Sequence, residues 1–131
     1  MLLPVAGIAG FLCVALGAFG AHGLEGRLSD EAAHWWTTAT FYGLTHSVAA
    51  LAAALATRAA PGLRYAGWAF VIGALIFAGT LYAMALLSLD GDAPRRLGAV
   101  TPVGGVSLLI GWGLVVIQGF RQGVRKGASG S

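Results

Sequence analysis

The stretch Leu16-Gly17-Ala18-Phe19-Gly20-Ala21-His22-Gly23 indicates the class of this protein, because it closes an uncharged apolar run that begins at Met1. A helix rises about 1.5 Å per residue, so roughly 20 apolar residues cross a hydrocarbon core of about 30 Å. The run is long enough, and it places the imidazole of His22 where a spanning helix ends. Three further uncharged runs follow, at residues 32–57, 65–89 and 97–120. The sequence therefore predicts an all-α membrane protein, a four-helix up-down-up-down transmembrane bundle.

The composition supports this class and excludes a soluble domain. Of 131 residues, 57% are hydrophobic and only 10% are charged, whereas a soluble domain carries about 25% charged residues. The predicted helices span about residues 2–22, 30–57, 65–89 and 101–120. They leave room for one domain, residues 1–121, followed by a flexible basic tail or expression scar at residues 122–131. The first run is alternatively a cleaved signal peptide, but its length and the absence of a preceding Lys or Arg favour a retained helix.

The basic residues are shared unequally between the two ends of the predicted bundle. One end holds the N-terminus, the second connection and the tail, with Arg58, Arg64, Arg121, Arg125 and Lys126. The other end holds Arg27, Arg95 and Arg96 together with all five acidic residues. The positive-inside rule then places both termini in the cytoplasm. Scattered basic residues of this kind are orientation signals, and the sequence predicts no nucleic-acid partner.

Local signals predict where the helices begin and end. Ser29 precedes two acidic residues and is typical of an N-cap, and the aromatic residues Trp35 and Trp36 are expected at the headgroup level. Residues 90–94 form a predicted turn. Thr101-Pro102 is typical of an N-cap followed by proline at the first helical position; alternatively the last helix starts near Leu97 and is kinked at Pro102.

Two stripes of small residues predict close helix packing. Both stripes should face a neighbouring helix, since close backbone approach is the main use of such stripes in membranes. The stripe on the first helix consists of Gly10, Cys13, Gly17 and Ala21. The stripe on the last helix consists of Thr101, Gly104, Ser107, Gly111 and Gln118.

With these positions fixed, the sequence resembles the YgdD-like small membrane proteins, a family of unknown function with bacterial members and eukaryotic relatives. The resemblance covers residues 5–121 and depends on five motifs in order. These are Gly17-Ala18-Phe19-Gly20-Ala21-His22, the pair Tyr42 and His46, Gly79-Thr80-Leu81-Tyr82, Thr101-Pro102-Val103-Gly104-Gly105 and Gly111-Trp112. One departure is Thr80, where the family has serine. The resemblance implies a four-helix protein of the bacterial inner membrane and implies no activity.

The polar side chains of all four helices are expected in the outer half of the bilayer, by counting about 1.5 Å per residue. Ionisable groups at such depths usually face the bundle interior or water. We therefore predict a polar pocket that opens outward, with His46 at its floor. Its candidate residues are His22, Tyr42, His46, Thr80, Tyr82, Thr101 and Ser107. The alternative is a neutral structural His46, hydrogen-bonded to Thr80, Tyr82 or Ser107.

The residues favour a non-enzymatic bundle that packs with lipid or with a partner, which is a second copy or another membrane protein. A small proton-coupled transporter or channel that uses His46 is the alternative, because the pKa of histidine lies near physiological pH. An enzyme is not expected, since Thr45 and its neighbour His46 point to different helix faces.

Cofactors are not expected either. His22 and His46 differ in predicted depth by about 10 Å or more, so they do not suit one haem iron. No cysteine or carboxylate lies where it would complete a zinc or copper site.

Overall fold

The computed structural model describes residues 1–91 and 95–129. Its long helices are α1 (Leu2–His22), α2 (Asp30–Ala56), α3 (Leu63–Leu87) and α5 (Thr101–Ser129), and a single turn, α4 (Arg95–Gly98), precedes the last of them. Four helices are long and apolar enough to cross a membrane. The predicted class, an all-α membrane protein with four spans, is confirmed.

The helix starts follow local chemistry. The Ser29 hydroxyl accepts a hydrogen bond from the Ala32 N–H at 3.2 Å, which is the N-cap predicted for α2. α5 begins at Thr101, with Pro102 in its first turn, where a missing N–H leaves no helix bond unmade. The alternative, one helix from Leu97 kinked at Pro102, is wrong, because α4 ends before α5 begins.

Two helices differ from their predicted bounds. α3 begins at Leu63 and ends at Leu87, slightly ahead of the predicted 65–89. α5 runs past the predicted end at residue 120 and includes residues that were assigned to a flexible tail. The segment holds Arg, Gln and Lys, which are good helix formers, and no proline interrupts it. Residues 130–131 and residues 92–94 of the predicted turn lie outside the described residues.

Consecutive long helices run antiparallel. Gly10 of α1 lies against Ser47 of α2, whereas Gly17 lies against Thr40. The contacts therefore run towards the C-terminus of α1 and towards the N-terminus of α2. Both glycines belong to the predicted α1 stripe. A Cβ at Gly17 would lie 3.0 Å from the Thr40 methyl carbon, so the stripe packs against α2 as predicted.

α3 is the central helix of the fold. It packs against α2 and α5 and also touches α1, whereas α1 and α5 form no packed interface in the described part of the chain. At the α3–α5 contact, a Cβ at Gly104 would lie 2.5 Å from the backbone nitrogen of Phe77. Gly104 belongs to the predicted α5 stripe, so this stripe also faces the bundle. The bundle is therefore open between its first and last helices.

Large apolar side chains cover the outer faces of α1 and α5. Ile8, Phe11, Val103 and Leu109 are all exposed. On a soluble protein such faces would be a liability. On a membrane-spanning bundle they contact acyl chains, which are as apolar as the side chains themselves.

Candidate functional site

His46 joins α2 to α5 through a polar contact inside the bundle. It is on α2 and only 6% exposed. Its Nδ1 lies 2.8 Å from the backbone carbonyl oxygen of Tyr42, one turn earlier on the same helix. Its Nε2 lies 3.3 Å from the indole Nε1 of Trp112 on α5. Both ring nitrogens therefore have partners within the protein.

The chemistry of the two partners indicates which nitrogen of His46 donates and which accepts. A carbonyl oxygen only accepts, so Nδ1 carries the hydrogen and donates to Tyr42. An indole N–H only donates, so Nε2 carries a lone pair and accepts from Trp112. The two bonds together hold the ring in one orientation between α2 and α5.

Three aromatic rings lie beside His46 and a fourth packs on one of them, and together they connect α2, α3 and α5. Tyr42 stacks on the imidazole, with ring centroids 5.8 Å apart and planes 16° apart. Phe70 lies 5.7 Å from His46 and 5.0 Å from Trp112, edge to face with the indole. Phe77 lies 4.6 Å from Tyr42. We call these five residues the aromatic cluster.

Two hydroxyl pairs join α3 to its neighbours. Thr40 donates to its own helix at the Trp36 carbonyl, so it accepts from Tyr82, whose hydroxyl is 2.9 Å away. Thr80 donates to carbonyls of its own helix, so it accepts from Thr101 at 3.0 Å. The first pair links α2 to α3, and the second links α3 to α5.

Two more hydrogen bonds run from a side chain to the backbone of a neighbouring helix. The Ser107 hydroxyl donates to the Ala69 carbonyl of α3 at 2.9 Å. The Trp36 indole N–H donates to the Leu16 carbonyl of α1 at 3.0 Å. Trp36 is 4% exposed, so its ring lies inside the bundle. The indole reaches α1 because Gly20 has no side chain, and a Cβ there would overlap the ring.

The seven residues of the predicted pocket lie in separate groups. Tyr42 joins His46 in the aromatic cluster, Thr80 pairs with Thr101, Tyr82 pairs with Thr40, and Ser107 bonds to backbone. His22 is the exposed last residue of α1 and has no hydrogen bond from its side chain to a described residue. His46 bonds to Trp112, and not to any of the three partners considered from the sequence.

A separate cavity lies between α1 and α2, at the end of the bundle that holds the α1–α2 connection. Its volume is about 380 Å³, and its lining does not include His46. Gly17 and Gly20 on one side and Ala33 on the other leave the space, and Thr37 and Thr40 supply its hydroxyl groups. The side chains of α1 and α2 thus shape this cavity, whereas those of α2, α3 and α5 form the aromatic cluster.

Sequence reasoning missed three of the residues that make interhelical hydrogen bonds. Trp112 belongs to one of the five motifs and Trp36 is predicted at the headgroup level, but the sequence pattern predicts a bonding partner for neither and does not point to Thr40. One signal was present, because a tryptophan inside a span has an N–H that needs an acceptor when it is buried. The sequence does not identify the acceptor for the Trp112 N–H, because 66 residues separate Trp112 from His46.

The fold and these contacts define a small four-helix membrane protein whose spanning helices are joined by polar side chains. The sequence profile of a family described as "Protein of unknown function (DUF423)" matches residues 16–105. The match begins in the stretch 16–23 and ends in the motif at 101–105. The chain belongs to the DUF423 family, also called the UPF0382 membrane proteins.

The relatives of this chain are uncharacterised membrane proteins in bacteria and yeast. UPF0382 membrane protein SERP0230 of Staphylococcus epidermidis is 42% identical over 107 residues, which cover 81% of this chain and 84% of the relative. A UPF0382 membrane protein of Haemophilus influenzae is 41% identical over 84% of this chain and 86% of its own. UPF0382 membrane protein C1782.12c of Schizosaccharomyces pombe is 37% identical over 86% and 96%. No solved structure matches the chain.

Proposed function

We propose that the protein is a non-enzymatic membrane bundle whose buried polar residues hold its own helices together and whose lipid-facing surface contacts lipid or a partner membrane protein. The observation that carries this proposal is that both ring nitrogens of His46 are hydrogen-bonded within the protein. A proton carrier must exchange protons with a water path, whereas both nitrogens of this ring are already bonded. We also propose, from the five motifs, that this member of the family is a YgdD-like protein.

The other interhelical hydrogen bonds support a structural role. No buried polar side-chain atom in the described residues lacks a partner. Unsatisfied polar groups inside a membrane protein are often a sign of a substrate or ion path, because such groups are costly without a ligand or water. Each interhelical hydrogen bond contributes about 0.6 kcal/mol in membrane proteins, so a set of them stabilises the bundle without any transported species.

Replacing His46 by alanine separates this proposal from proton-coupled transport. We expect wild-type protein and His46→Ala, reconstituted in liposomes that carry a pH-sensitive dye, to give the same rate of proton entry. We also expect His46→Ala to be less stable, because the substitution removes the Trp112 bond and the contacts with Tyr42 and Phe70. The loss should be about 2 kcal/mol, measured by unfolding in detergent.

Trp112→Phe is the matched control for this experiment. It keeps an aromatic ring beside Phe70 but removes the N–H that bonds to Nε2 of His46. A smaller stability loss with unchanged proton entry fits a structural histidine. Proton entry in wild type that disappears in His46→Ala, and changes its pH dependence in Trp112→Phe, would establish the transporter instead.

We also propose a location in the bacterial inner membrane with both termini in the cytoplasm. The fold supports this proposal indirectly, because four antiparallel spans return the chain to the side on which it started. Arg58, Arg64 and Arg121 then lie on the termini side, and the described acidic residues lie on the other. The bias of basic residues in short connections sets the orientation of such proteins.

Cysteine labelling of intact cells tests the orientation. In a Cys13→Ser background, Arg27→Cys should react with a membrane-impermeant maleimide in intact cells, because the α1–α2 connection is predicted outside. Arg58→Cys should react only after the membrane is permeabilised. Both positions are exposed, so accessibility depends on the side of the membrane. Labelling of Arg58→Cys but not Arg27→Cys in intact cells would invert the topology.

A further inference from the structure

A crevice lies at the termini end of the bundle, between the α2–α3 connection and the last part of α5. Its volume is about 730 Å³. The lining consists of Ala59, Ala60, Pro61, Gly62, Gln118, Phe120, Arg121 and Gln122. α5 forms one wall because it continues past the level at which α2 ends and α3 begins. The space exists because the residues of the connection have small side chains.

The crevice contains polar side chains that have no partner among the described residues. Gln118 and Gln122 are one turn apart and only half-exposed, and Arg121 is exposed beside them. None of the three makes a hydrogen bond or ion pair with a described residue, although all of them offer N–H donors. Gln118 lies directly against Gly62, where a Cβ would overlap its amide. These donors therefore converge on a space that the protein does not fill.

Arg64, at the same end, differs from Arg121 in this respect. Its guanidinium donates to the Tyr65 hydroxyl at 2.5 Å and lies 4.6 Å from the centre of the Tyr65 ring. Arg64 is thus held by its neighbour in sequence. Arg121 is the arginine at this end that faces the crevice without such a contact.

Charge and depth together indicate what the crevice accommodates. The acidic residues that the structure describes, Glu25, Asp30, Glu31 and Asp90, lie at the opposite end. The described part of the crevice end therefore has arginines and no carboxylate side chain. Tyr65 and the half-exposed Trp68 lie at this end, which is typical of the headgroup level. Phe120 is exposed beside Arg121 and extends the apolar surface of α5 towards the acyl chains. A cationic donor group next to an apolar helix surface suits a ligand in which a phosphate is joined to acyl chains.

We propose that this crevice binds the headgroup of an anionic phospholipid. The phosphate accepts from the Arg121 guanidinium and from the side-chain amides of Gln118 and Gln122, while the acyl chains lie along the apolar face of α5. Basic pockets between spanning helices bind anionic headgroups in this manner. The site does not depend on the role of His46 or on the orientation of the protein.

Native mass spectrometry of the full chain, released from mixed micelles of phosphatidylglycerol and phosphatidylcholine, tests the site. Wild type should retain phosphatidylglycerol in preference to phosphatidylcholine, and Arg121→Gln should lower this preference roughly fivefold. Gln118→Ala should lower it less, since it removes a neutral donor. Arg58→Gln is the matched control, because Arg58 has the same charge, lies at the same end and does not line the crevice.

Three results would overturn the proposal. If Arg121→Gln leaves the preference intact, the crevice holds no headgroup. An equal loss in Arg58→Gln would show attraction to the surface as a whole. Displacement of phosphatidylglycerol by inorganic phosphate at comparable concentration would show a site for free phosphate. The melting temperature of each variant in pure phosphatidylcholine identifies a loss that comes from misfolding. Equal melting temperatures with a selective loss in Arg121→Gln support the lipid site.

Discussion

Replacing Gly104 by alanine is expected to destabilise the protein by about 3 kcal/mol, the upper part of the range for overpacked interiors. The added Cβ would lie 2.5 Å from the backbone nitrogen of Phe77 and 2.9 Å from the carbonyl oxygen of Gly73. Both neighbours are backbone atoms of α3, so no side chain can rotate away. α3 and α5 must separate, which also weakens the Ser107 and Thr101 hydrogen bonds. Unfolding in detergent with increasing sodium dodecyl sulfate, followed by circular dichroism, measures the loss.

Gly113→Ala is the control for Gly104→Ala. It makes the same chemical change on the same helix, but nothing lies within 4 Å of the added Cβ. The expected effect is zero or a slight gain, because alanine has a higher helix propensity than glycine by up to about 1 kcal/mol. Equal destabilisation by both substitutions would mean that α5 does not pack on α3 through Gly104.

Replacing Phe70 by alanine is expected to lower the free energy of unfolding by about 2–3 kcal/mol. Phe70 is 1% exposed and is the largest fully buried side chain among the described residues. Its ring packs against His46 and Trp112, and it lies directly against Gly111. The expected loss is below the 3–5 kcal/mol typical of soluble cores, because moving the ring from lipid to protein gains no hydrophobic free energy and only packing is lost.

The same substitution on the lipid-facing surface is the control for Phe70. Phe11 on α1 is 72% exposed, so Phe11→Ala should change the stability by less than about 0.5 kcal/mol. Both variants lose one phenyl ring, so the difference between them isolates packing inside the bundle. A loss for Phe11→Ala as large as that for Phe70→Ala would instead indicate that α1 is covered by another protein surface under the conditions of the measurement.

Both predictions concern α3, because this helix organises the rest of the protein. It bonds to α2 through Tyr82 and to α5 through Thr80 and the Ala69 carbonyl oxygen. α1, by contrast, depends mainly on α2, with which it shares the Trp36 bond and the contacts of Gly10 and Gly17. We therefore expect substitutions at the α3 interfaces to affect the whole bundle.

The open side between α1 and α5 follows from the physics of the bilayer. In water, the exposed apolar faces of these helices would be driven together. In lipid this driving force is absent, and helices associate where small residues and polar groups allow close contact. The described small-residue contacts of α1 face α2, and those of α5 face α3, so no such surface joins α1 to α5.

The sequence by itself determined the class of the protein, the number of spans and several helix boundaries. These properties are local: the length of an uncharged run sets a span, Ser29 caps the next helix with its own side chain, and Pro102 fits a first turn. The small-residue stripes also predicted correctly which faces of α1 and α5 are buried, because a stripe is a property of one helix.

Only the tertiary structure decided which polar groups meet. The pairing of His46 with Trp112 depends on the rotation of α2 and α5 about their own axes and on the room that Gly111 leaves beside Phe70. The same holds for Trp36, which is buried because Gly20 lies opposite it on another helix. No periodicity within one helix encodes these relations, since each is set by the packing of two or three helices at once.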